Sequence, residues 1–528
     1  MLNRPRRTAP RCHPVMGAEP RPQTRVLRAI ACLFAALLVS LTAKAQESAT
    51  RERAEAAKTP PPLAPLLPAE VLASSERHFP KILVSLAELR GAAGDVLAAE
   101  GAFDLVFDAD GFSRLSGFYD GQVISGGATQ RLPNMGAELY GSYRLSNGTF
   151  PIYEDEYFTN TGGTLKVGAL FNLLRDRNLD SQRFRLADAQ LRREQAELDV
   201  LLTKIGVQQQ ALIAYWRWVA LGRQVGVYAD LLRIATERQV GLIEQVARGA
   251  VAEIFLTENQ QNISRRQALV TSSRRDLMMA GNALAFYYRD ENGRPLEPGI
   301  ARLPTPEQLG AGPGLGALPE QATDTARDRR PELALLRTTM ERVQNEISLA
   351  ENDLKPRLDV GVELATPFGS IAEGGPSRDE TDTIVAMKFT VPLQQRSVRG
   401  RLASAQAELQ AASYERQLIE DRIELEVRNI LLELAFATQL QELAAVEVQQ
   451  SEIMRQSELT RFESGASDFF LVNVREETAA NARINLLEAE LATRIARASY
   501  DAAVVDFERL GITPVGPDND PYQSIGDR

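Results

Sequence analysis

Side chains that act as nucleophiles or metal ligands are scarce in this chain. Its 528 residues include only two cysteines and two histidines. Cys12, Cys32 and His13 lie within the first 32 residues, which leaves His78 as the only histidine beyond them. A structural zinc site needs several Cys or His ligands, and a Ser-His-Asp triad would have to use His78. We therefore expect a protein that is not an enzyme, with no catalytic residue, no metal site and no cofactor.

The first 45 residues predict a signal peptide for export. Three arginines precede an apolar run over residues 29–41, and a small-x-small sequence, Ala43-Lys44-Ala45, follows it. The order of basic, apolar and cleavable segments is typical of secretion signals, and the apolar run is too short to span a bilayer as a helix. The exported chain would contain no cysteine, so it would form no disulfide even where its compartment permits one.

The charge of the chain limits its partners. The whole sequence has 60 basic and 70 acidic residues. Residues 1–45 contain eight basic and one acidic residue, so the exported remainder has 52 against 69 and a net charge of −17. Such a chain offers no basic surface for nucleic acid. No run of 18 apolar residues follows the signal, and a membrane-spanning part would therefore have to consist of β-strands.

Three stretches rich in Gly, Pro or polar residues divide the chain. Residues 46–74 predict a flexible N-terminus, residues 293–326 a Gly/Pro-rich connector, and residues 511–528 a polar tail. Between them lie two long segments, 75–292 and 327–510, whose composition is ordinary for folded protein. We expect these two segments to contain the ordered structure.

The two long segments are similar to each other, which indicates an internal duplication. An Ala-x-Ala-Gln sequence begins at Ala187 and again at Ala403, and a Gly-Ala pair occurs at Gly249 and Gly465, both with an offset of 216 residues. Each segment predicts a helix that begins at a proline, then strands, then a very long helical stretch that is interrupted at the Gly-Ala pair. Earlier matches have a larger offset, so the first segment carries extra sequence, at about residues 103–134. Within it, residues 121–133 have no clear period, and a surface loop and a covering flap are both possible there.

The long helical stretches have the periodicity of coiled coils. Apolar residues recur in steps of four and three over residues 423–448, and in steps of seven over 198–219, 256–284 and 484–505. Sustained heptads predict helix pairs with a continuous apolar seam. A helical stretch of about 70 residues would be a rod about 100 Å long. Taken alone, this pattern fits a long soluble coiled-coil protein.

Short strand regions alternate apolar and polar residues. They lie near residues 139–145, 165–169, 358–362 and 384–388. The alternation fits a membrane barrel with a wet lumen and also an ordinary sheet with one solvated face. Four strands cannot close a barrel, so a barrel would require several chains.

The order of these elements resembles the outer-membrane efflux factor family, the TolC-like channels, over residues 75–512. The residues that carry the resemblance are Arg330-Pro331-Glu332-Leu333, Lys355-Pro356-Arg357-Leu358, Val391-Pro392-Leu393, Val246-Ala247-Arg248-Gly249-Ala250 and Arg461-Phe462-Glu463-Ser464-Gly465-Ala466. Each motif alone is weak, whereas their order and spacing together are specific.

The resemblance implies a mainly α-helical fold with membrane β-structure and a two-fold internal repeat. A homotrimer would form a long coiled-coil helical barrel in the periplasm and a 12-stranded β-barrel, with four strands per chain, among the lipids of a Gram-negative outer membrane. The connector would form an equatorial girdle. The partners would be a periplasmic adaptor, also called a membrane fusion protein, and an inner-membrane pump. The function would be efflux of small toxic compounds such as drugs, metals or solvents. The alternatives are a type I protein secretion channel and a soluble periplasmic coiled-coil adaptor or scaffold.

The two Gly-Ala breaks are the first candidate site that the resemblance implies. Glycine permits the positive φ at which a helix can reverse, and family members dock on their adaptor at such hairpin tips. Plain hairpin turns without a partner would contain the same glycines. The candidate docking residues are Arg248, Gly249, Ala250, Ser464, Gly465 and Ala466.

A periplasmic constriction is expected just beyond the second break. The family often has carboxylates six and nine residues after that glycine, where this chain has Leu471 and Val474. The nearest candidates are Asp468, Phe469 and Phe470. An apolar constriction could close by dewetting, whereas both phenylalanines could equally pack between helices.

Aromatic residues of the first strand region are candidates for a girdle at the membrane interface, where amphipathic rings are enriched. Core packing would use the same rings. The candidates are Tyr140, Tyr143, Phe150 and Tyr153.

Overall fold

A computed structural model describes residues 64–309, 321–372 and 379–514. The chain divides into two units, Met1–Ala64 and Pro65–Arg528, and all described residues except Ala64 belong to the second. The predicted signal peptide lies outside the described residues, as do residues 46–63, part of the predicted connector and most of the predicted tail.

Helices and strands occur in two rounds along the chain. The first round contains α1 (Pro68–His78), α2 (Pro80–Glu100), β1 (Val106–Ser113), β2 (Gln122–Arg131), β3 (Ala137–Asn147), β4 (Thr164–Asn172), α3 (Ser181–Ala247) and α4 (Ile254–Ala285). The second contains α5 (Pro306–Leu309), α6 (Ala322–Arg329), α7 (Pro331–Asp353), β5 (Arg357–Pro367), β6 (Asp382–Thr390), α8 (Arg396–Glu463), α9 (Phe469–Ala503) and α10 (Phe507–Leu510). Short 3-10 turns occupy Gly101–Phe103, Ile152–Tyr157 and Ile300–Arg302.

The predicted long helices are present. Helix α3 has 67 residues and α8 has 68, which at about 1.5 Å per residue makes each about 100 Å long. In α8 most of the predicted heptad positions are buried, among them Ile423, Val427 and Leu434. The helices α2 and α7 begin at Pro80 and Pro331, as their sequences predict, because proline is well suited to the first helical position. Within the described residues, no helix is both long and apolar enough to cross a lipid bilayer.

The long helices pack as two antiparallel hairpins. Helix α4 returns along α3, and α9 returns along α8, while α9 also packs against α3. The largest core cluster lies where α3, α4 and α9 meet α1, and it includes Tyr215, Trp218, Leu277 and Leu284. Helix α6, at the end of the predicted connector, packs Ala322 against the α8 seam.

The prediction of a flexible N-terminus over residues 46–74 was wrong for the part that the structure describes. Leu66, Val71 and Leu72 are buried in the largest core cluster. The Tyr215 hydroxyl donates a hydrogen bond to the Leu66 carbonyl at 2.8 Å. The prolines before α1 indicate a helix start at Pro68 rather than flexibility, and the apolar residues that follow them fill the space between the long helices.

The strands form one antiparallel sheet in the order β1-β2-β3-β4-β5-β6. Strands β3 to β6 include the four predicted strand regions, but the prediction of four strands per chain was wrong. The extra segment at about 103–134 forms a further hairpin, β1–β2. Residues 121–133, expected as a loop or a flap, instead contain strand β2. Strand β1 has two aspartates and a glycine, which are rare in strands, so only its pairing with β2 along all eight residues reveals it.

Candidate functional site: a two-faced sheet and two hairpin tips

One face of the sheet is apolar and exposed from the first strand to the last. The pairing register places alternate residues of all six strands on this face, as in the pairs Gly126–Tyr143, Val167–Leu364 and Val362–Val385. We call it the apolar face. Its large exposed residues are Phe107, Ile124, Leu139, Tyr143, Leu145, Leu165, Val167, Phe171, Val362, Leu364, Val385, Met387 and Phe389. A continuous apolar surface of this extent is unfavourable in water and marks contact with lipid or another protein.

The opposite face of the sheet is polar. The Tyr140 hydroxyl donates to the Glu363 carboxylate at 3.0 Å, and the Lys166 ammonium donates to the same carboxylate at 3.1 Å. Ser125 donates to Asp110 at 2.8 Å. Tyr140, Lys166 and Glu363 are half-buried and Ser125 is buried, whereas Asp110 in the edge strand is exposed, as are the large residues of the apolar face. The sheet thus has the reverse of the arrangement expected for a sheet that covers a core in water.

The predicted aromatic girdle is not a single belt. Tyr140 and Tyr143 are three positions apart in one strand, and because side chains alternate with a period of two, they lie on opposite faces. Phe150 is buried in a small cluster beneath the β3–β4 loop. Tyr143 is half-exposed on the apolar face and Tyr153 is exposed in the loop. Of the four candidates, only these last two have the exposure that a girdle requires.

The first predicted docking site is a tight helix-ending turn. Helix α3 ends before Arg248, and Gly249 has a φ of +69°. The Gly249 amide donates to the Val246 carbonyl, and the Ala250 amide donates to the Gln245 carbonyl, each at 2.9 Å. This pair of hydrogen bonds defines a Schellman turn, which satisfies the last carbonyls of a helix.

The second predicted docking site has the same backbone structure. Gly465 has a φ of +75°, and its amide donates to the Phe462 carbonyl at 3.0 Å. The Ala466 amide donates to the Arg461 carbonyl at 2.8 Å. A Cβ added to either turn glycine would meet no atom within 4 Å, so the positive φ alone favours glycine there. All six candidate docking residues are exposed.

Aromatic packing joins the two tips. The Phe469 ring lies with its centroid 5.8 Å from that of Phe255 and 6.1 Å from that of Phe462, so residues from both hairpins enclose it. Phe469 is therefore 1% exposed, which matches the packing alternative and leaves no surface for it to contribute to a constriction. Phe470 is 65% exposed. Asp468 caps α9, because its carboxylate accepts a hydrogen bond from the Leu471 amide at 2.7 Å.

A buried charged cluster lies between the helices near the tips, and no sequence motif predicted it. The Arg266 guanidinium donates to the Glu476 carboxylate and to the Leu231 carbonyl, each at 3.0 Å, and Arg238 also donates to Glu476. Burial lowers the pKa of Arg266, and the nearby Glu476 carboxylate opposes that shift. A signal existed in the sequence, because Asn259, Arg266 and Ser273 repeat every seven residues and all three are buried.

Helix α8 carries a second apolar stripe that faces away from its buried seam. We call it the outer stripe of α8. Its residues are Leu418, Leu425, Leu432, Phe436, Leu443, Val446 and Ile453, and all are more than half or about half exposed. The spacing of three, four or seven residues places them along one side of the helix. A stripe of this length indicates a further helix-packing surface.

Comparison with known proteins identifies the fold. No protein-family profile and no curated protein matches the chain in sequence. Solved structures do match: the outer-membrane channel OprN at 17% identity and a TM-score of 0.57, covering 83% of this chain and 90% of that one. The Neisseria gonorrhoeae MtrE outer-membrane channel matches at 14% identity with a TM-score of 0.57, and the match covers 83% of this chain and 88% of that one. The Campylobacter jejuni CmeC outer-membrane channel matches at 13% identity with a TM-score of 0.56, and the match covers 83% of this chain and 85% of that one.

These similarities extend over more than four-fifths of this chain and of each channel. The chain therefore has the mostly helical fold, with a small antiparallel sheet, of TolC-like outer-membrane channels. The resemblance that the sequence motifs indicate is confirmed at the level of the fold.

Proposed function

We propose that this protein is a homotrimeric efflux channel of a Gram-negative outer membrane. Its sheet crosses the membrane as part of a barrel shared among three chains, and its helical hairpins extend the conduit through the periplasm. Transport through this conduit requires no catalytic residue and no cofactor. The observation that carries the proposal is the apolar face, which is exposed over all six strands of a sheet in a channel fold.

The dimensions of the sheet support a membrane location. Its strands have eight to eleven residues, and a tilted transmembrane strand needs about 9–11. An outward apolar face with a polar interior is the arrangement of membrane barrels. The half-buried pair of Lys166 and Glu363 on the polar face fits a water-filled lumen.

Exposed apolar surfaces support assembly of several chains. The outer stripe of α8 extends over about 35 residues, or roughly 50 Å of helix. Neighbouring copies would bury this stripe as a coiled-coil seam, which accounts for its heptad spacing. We propose three copies from the number that the resemblance implies.

The tips are the proposed contact with a periplasmic adaptor, which would connect the channel to an inner-membrane pump. Both tips end in the same exposed turn, and the packing of Phe469 holds them side by side. A partner could therefore contact two equivalent turns on one small surface. Phe470 and Asp468, exposed beside the second turn, are the proposed constriction residues. The proposed cargo is small toxic compounds such as drugs, metals or solvents. The proposed equatorial girdle is the connector, whose helix α6 packs on α8.

Membrane fractionation of the full-length protein tests the main proposal. We expect it in the outer-membrane fraction, migrating on a gel as a trimer that heating converts to a monomer. A monomer released with the soluble periplasmic proteins would instead support the coiled-coil adaptor or scaffold. Secretion of a protein, in place of drug or metal resistance, would favour the type I secretion alternative.

Tryptophan substitutions at the tips test docking separately. Ala250→Trp and Ala466→Trp enlarge the exposed turns without changing either glycine, so we expect intact trimers whose export falls to the level of a deletion strain. Arg274→Trp is the matched control, because it adds the same side chain to an exposed position of α4 roughly 30 Å from the tip. Normal export by both tip variants would contradict the docking role.

A further inference from the structure

The two edges of the sheet lack partners for their backbone groups within the described chain. All eight residues of β1 and all nine of β6 are exposed, whereas each of β2 to β5 contains at least one buried residue. Unpaired N–H and C=O groups of an edge strand favour pairing with another strand. Inside a bilayer the pairing becomes obligatory, because lipid offers no hydrogen bonds.

The topology allows the two edges to pair with each other in neighbouring copies. The sheet is a six-stranded antiparallel meander, and because the number of strands is even, β1 and β6 run in opposite directions. Edge-to-edge contact between copies therefore continues the antiparallel pattern of hydrogen bonds. The strands are also of nearly equal length, so little of either edge would stay unpaired.

The side chains of the two edges are complementary. Phe107 of β1 and the Val385, Met387 and Phe389 side chains of β6 lie on the apolar face, so the apolar face continues across the junction. On the polar face, β1 has Asp108 and Asp110, and β6 has Lys388 near its last residue and Asp382 at its first. Pairing that keeps the two faces aligned can thus bring Lys388 opposite an aspartate of β1.

Asp108 and Lys388 also lie at the same distance from the helical end of their strands. Val106 is the first residue of β1 after the helix α2, and Thr390 is the last residue of β6 before the helix α8, so both mark the helical end of the sheet. Asp108 is the third residue of β1 from that end, and Lys388 is the third residue of β6 from it. Antiparallel pairing of Val106 with Thr390 would place Asp108 opposite Lys388.

We propose that β1 of each copy pairs with β6 of the next, so that three copies close an 18-stranded barrel. The occupant of each open edge is therefore a second copy of this chain. This inference rests on the proposed trimeric channel and departs from the 12 strands expected from four per chain. Barrel diameter grows roughly in proportion to strand number, so the β1–β2 hairpin would widen the barrel about 1.5-fold. The alternative is that β3 and β6 close a 12-stranded barrel, which would require β3 to leave its pairing with β2.

Disulfide trapping in native membranes distinguishes the two barrels. Directly opposite residues of an antiparallel pair have Cα atoms about 4.5–5.5 Å apart, which a disulfide can bridge. Residues 33–528 contain no cysteine, so the introduced cysteines have no native thiol in this part of the chain to react with. We expect the double variant Asp108→Cys/Lys388→Cys, or Asp110→Cys/Lys388→Cys, to form covalent dimers and trimers on oxidation. Each single variant is the control and should form none.

The 12-stranded alternative has its own pair of thiols. Ser142 of β3 and Lys388 of β6 both lie on the polar face, so the double variant Ser142→Cys/Lys388→Cys tests direct pairing of these two strands. Cross-linking between these two cysteines would overturn the 18-stranded barrel but not the trimeric channel. A membrane trimer in which neither aspartate position cross-links to position 388 would overturn it as well. Loss of the trimer and of membrane location in the unmodified chain would instead contradict the proposed function itself.

A charge exchange provides a second readout. Lys388→Asp places like charges at the proposed junction, so we expect the trimer to dissociate at a lower temperature on a gel. Adding Asp108→Lys to the same chain restores opposite charges, and the dissociation temperature should recover. A double variant no more stable than Lys388→Asp alone would contradict the proposed pairing of these two residues.

Discussion

The sheet and the helical hairpins distribute their side chains in opposite ways. In the hairpins, apolar seams such as Val427 and Leu434 are buried, and exposed apolar residues on α8 are concentrated in its outer stripe. In the sheet, apolar residues such as Val167 and Met387 are exposed, while Lys166 and Glu363 on the other face are half-buried. Both regions have regular amphipathic patterns, so under the proposed function we expect the contrast to reflect the medium around each region, water for the hairpins and lipid for the sheet.

Charge burial shows the same contrast. The hairpins enclose the Arg266–Glu476 pair between helices, where each charge has a partner. On the sheet, every large exposed residue of the apolar face is uncharged. A region surrounded by water can tolerate internal charges if they are paired, whereas a lipid-facing surface cannot display them without a large cost.

The largest expected change in behaviour, loss of the assembled protein from its membrane, comes from a charge on the apolar face. Val167 is half-exposed near the middle of β4, so Val167→Arg would be almost neutral if that face were in water. In lipid we expect a cost of about 2–4 kcal/mol at the bilayer midplane, measured as loss of the heat-sensitive trimer from the outer-membrane fraction. Ser142→Arg is the matched control, since it adds the same side chain to the polar face of the adjoining strand. Equal behaviour of the two variants would remove the distinction between the faces.

The next effect concerns the buried charges of the hairpins. Glu476→Ala leaves Arg266 and Arg238 without their shared carboxylate, so we expect a loss of about 3–5 kcal/mol. Thermal unfolding followed by circular dichroism of the helices measures it. Glu477→Ala, which removes the neighbouring and more exposed partner of Arg265, should cost less than about 1 kcal/mol. Similar melting of the two variants would show that the buried pair is not held as described.

A smaller effect distinguishes the two tips. Asp468 caps α9 with its side chain, whereas Glu253 at the start of α4 makes no such hydrogen bond. Asp468→Ala should cost about 1 kcal/mol and speed hydrogen exchange of the Leu471 amide. Glu253→Ala should leave exchange at the start of α4 unchanged. Comparable changes at both helices would mean that the cap does not stabilise the second tip.

The smallest effect is a dependence on pH. Hydrogen bonds from Arg455, with further attraction from Arg483, hold the pKa of Glu452 below its ordinary value of 4.5. A lowered pKa means that the ionised carboxylate stabilises the pairing of α8 with α9 above about pH 4.5, and that this contribution disappears as the pH falls through the folded-state pKa. Because Glu452 is about one-third exposed, we expect less than about 1 kcal/mol. Melting of Glu452→Gln at pH 6 and pH 4 should show a smaller difference than melting of the unmodified chain.

Much of the helical part was predictable because its signals are local. The prolines at 80 and 331 begin helices, the heptads define buried seams, and Gly249 and Gly465 end the two longest helices. The paired strands β3 to β6 also follow their two-residue alternation. The β1 strand, the docking of α1 and the burial of Phe469 were not predictable, because each depends on residues far away in the chain.

The same limit explains what the sequence did not reveal about the candidate site. Residues 248–250 and 464–466 could be located from glycine spacing alone, but their adjacency results from Phe469 packing against Phe255 of the other hairpin. The charged cluster of Arg266 and Glu476 joins residues 210 positions apart. A buried arginine has no distinctive pattern until its partner is known.

By itself, the sequence determined the periods, starts and ends of its elements, since these follow from backbone geometry and from neighbouring residues. It also determined which side chains share a face of each strand, because side chains alternate along any strand. Only the tertiary structure decided that the six strands join in one sheet, since β4 must pair with β5 across nearly two hundred residues. That register aligned the apolar residues of all six strands into one exposed face. Long-range pairing thus combined the separate alternations of six strands into one exposed apolar face, which is the surface that the proposed membrane location requires.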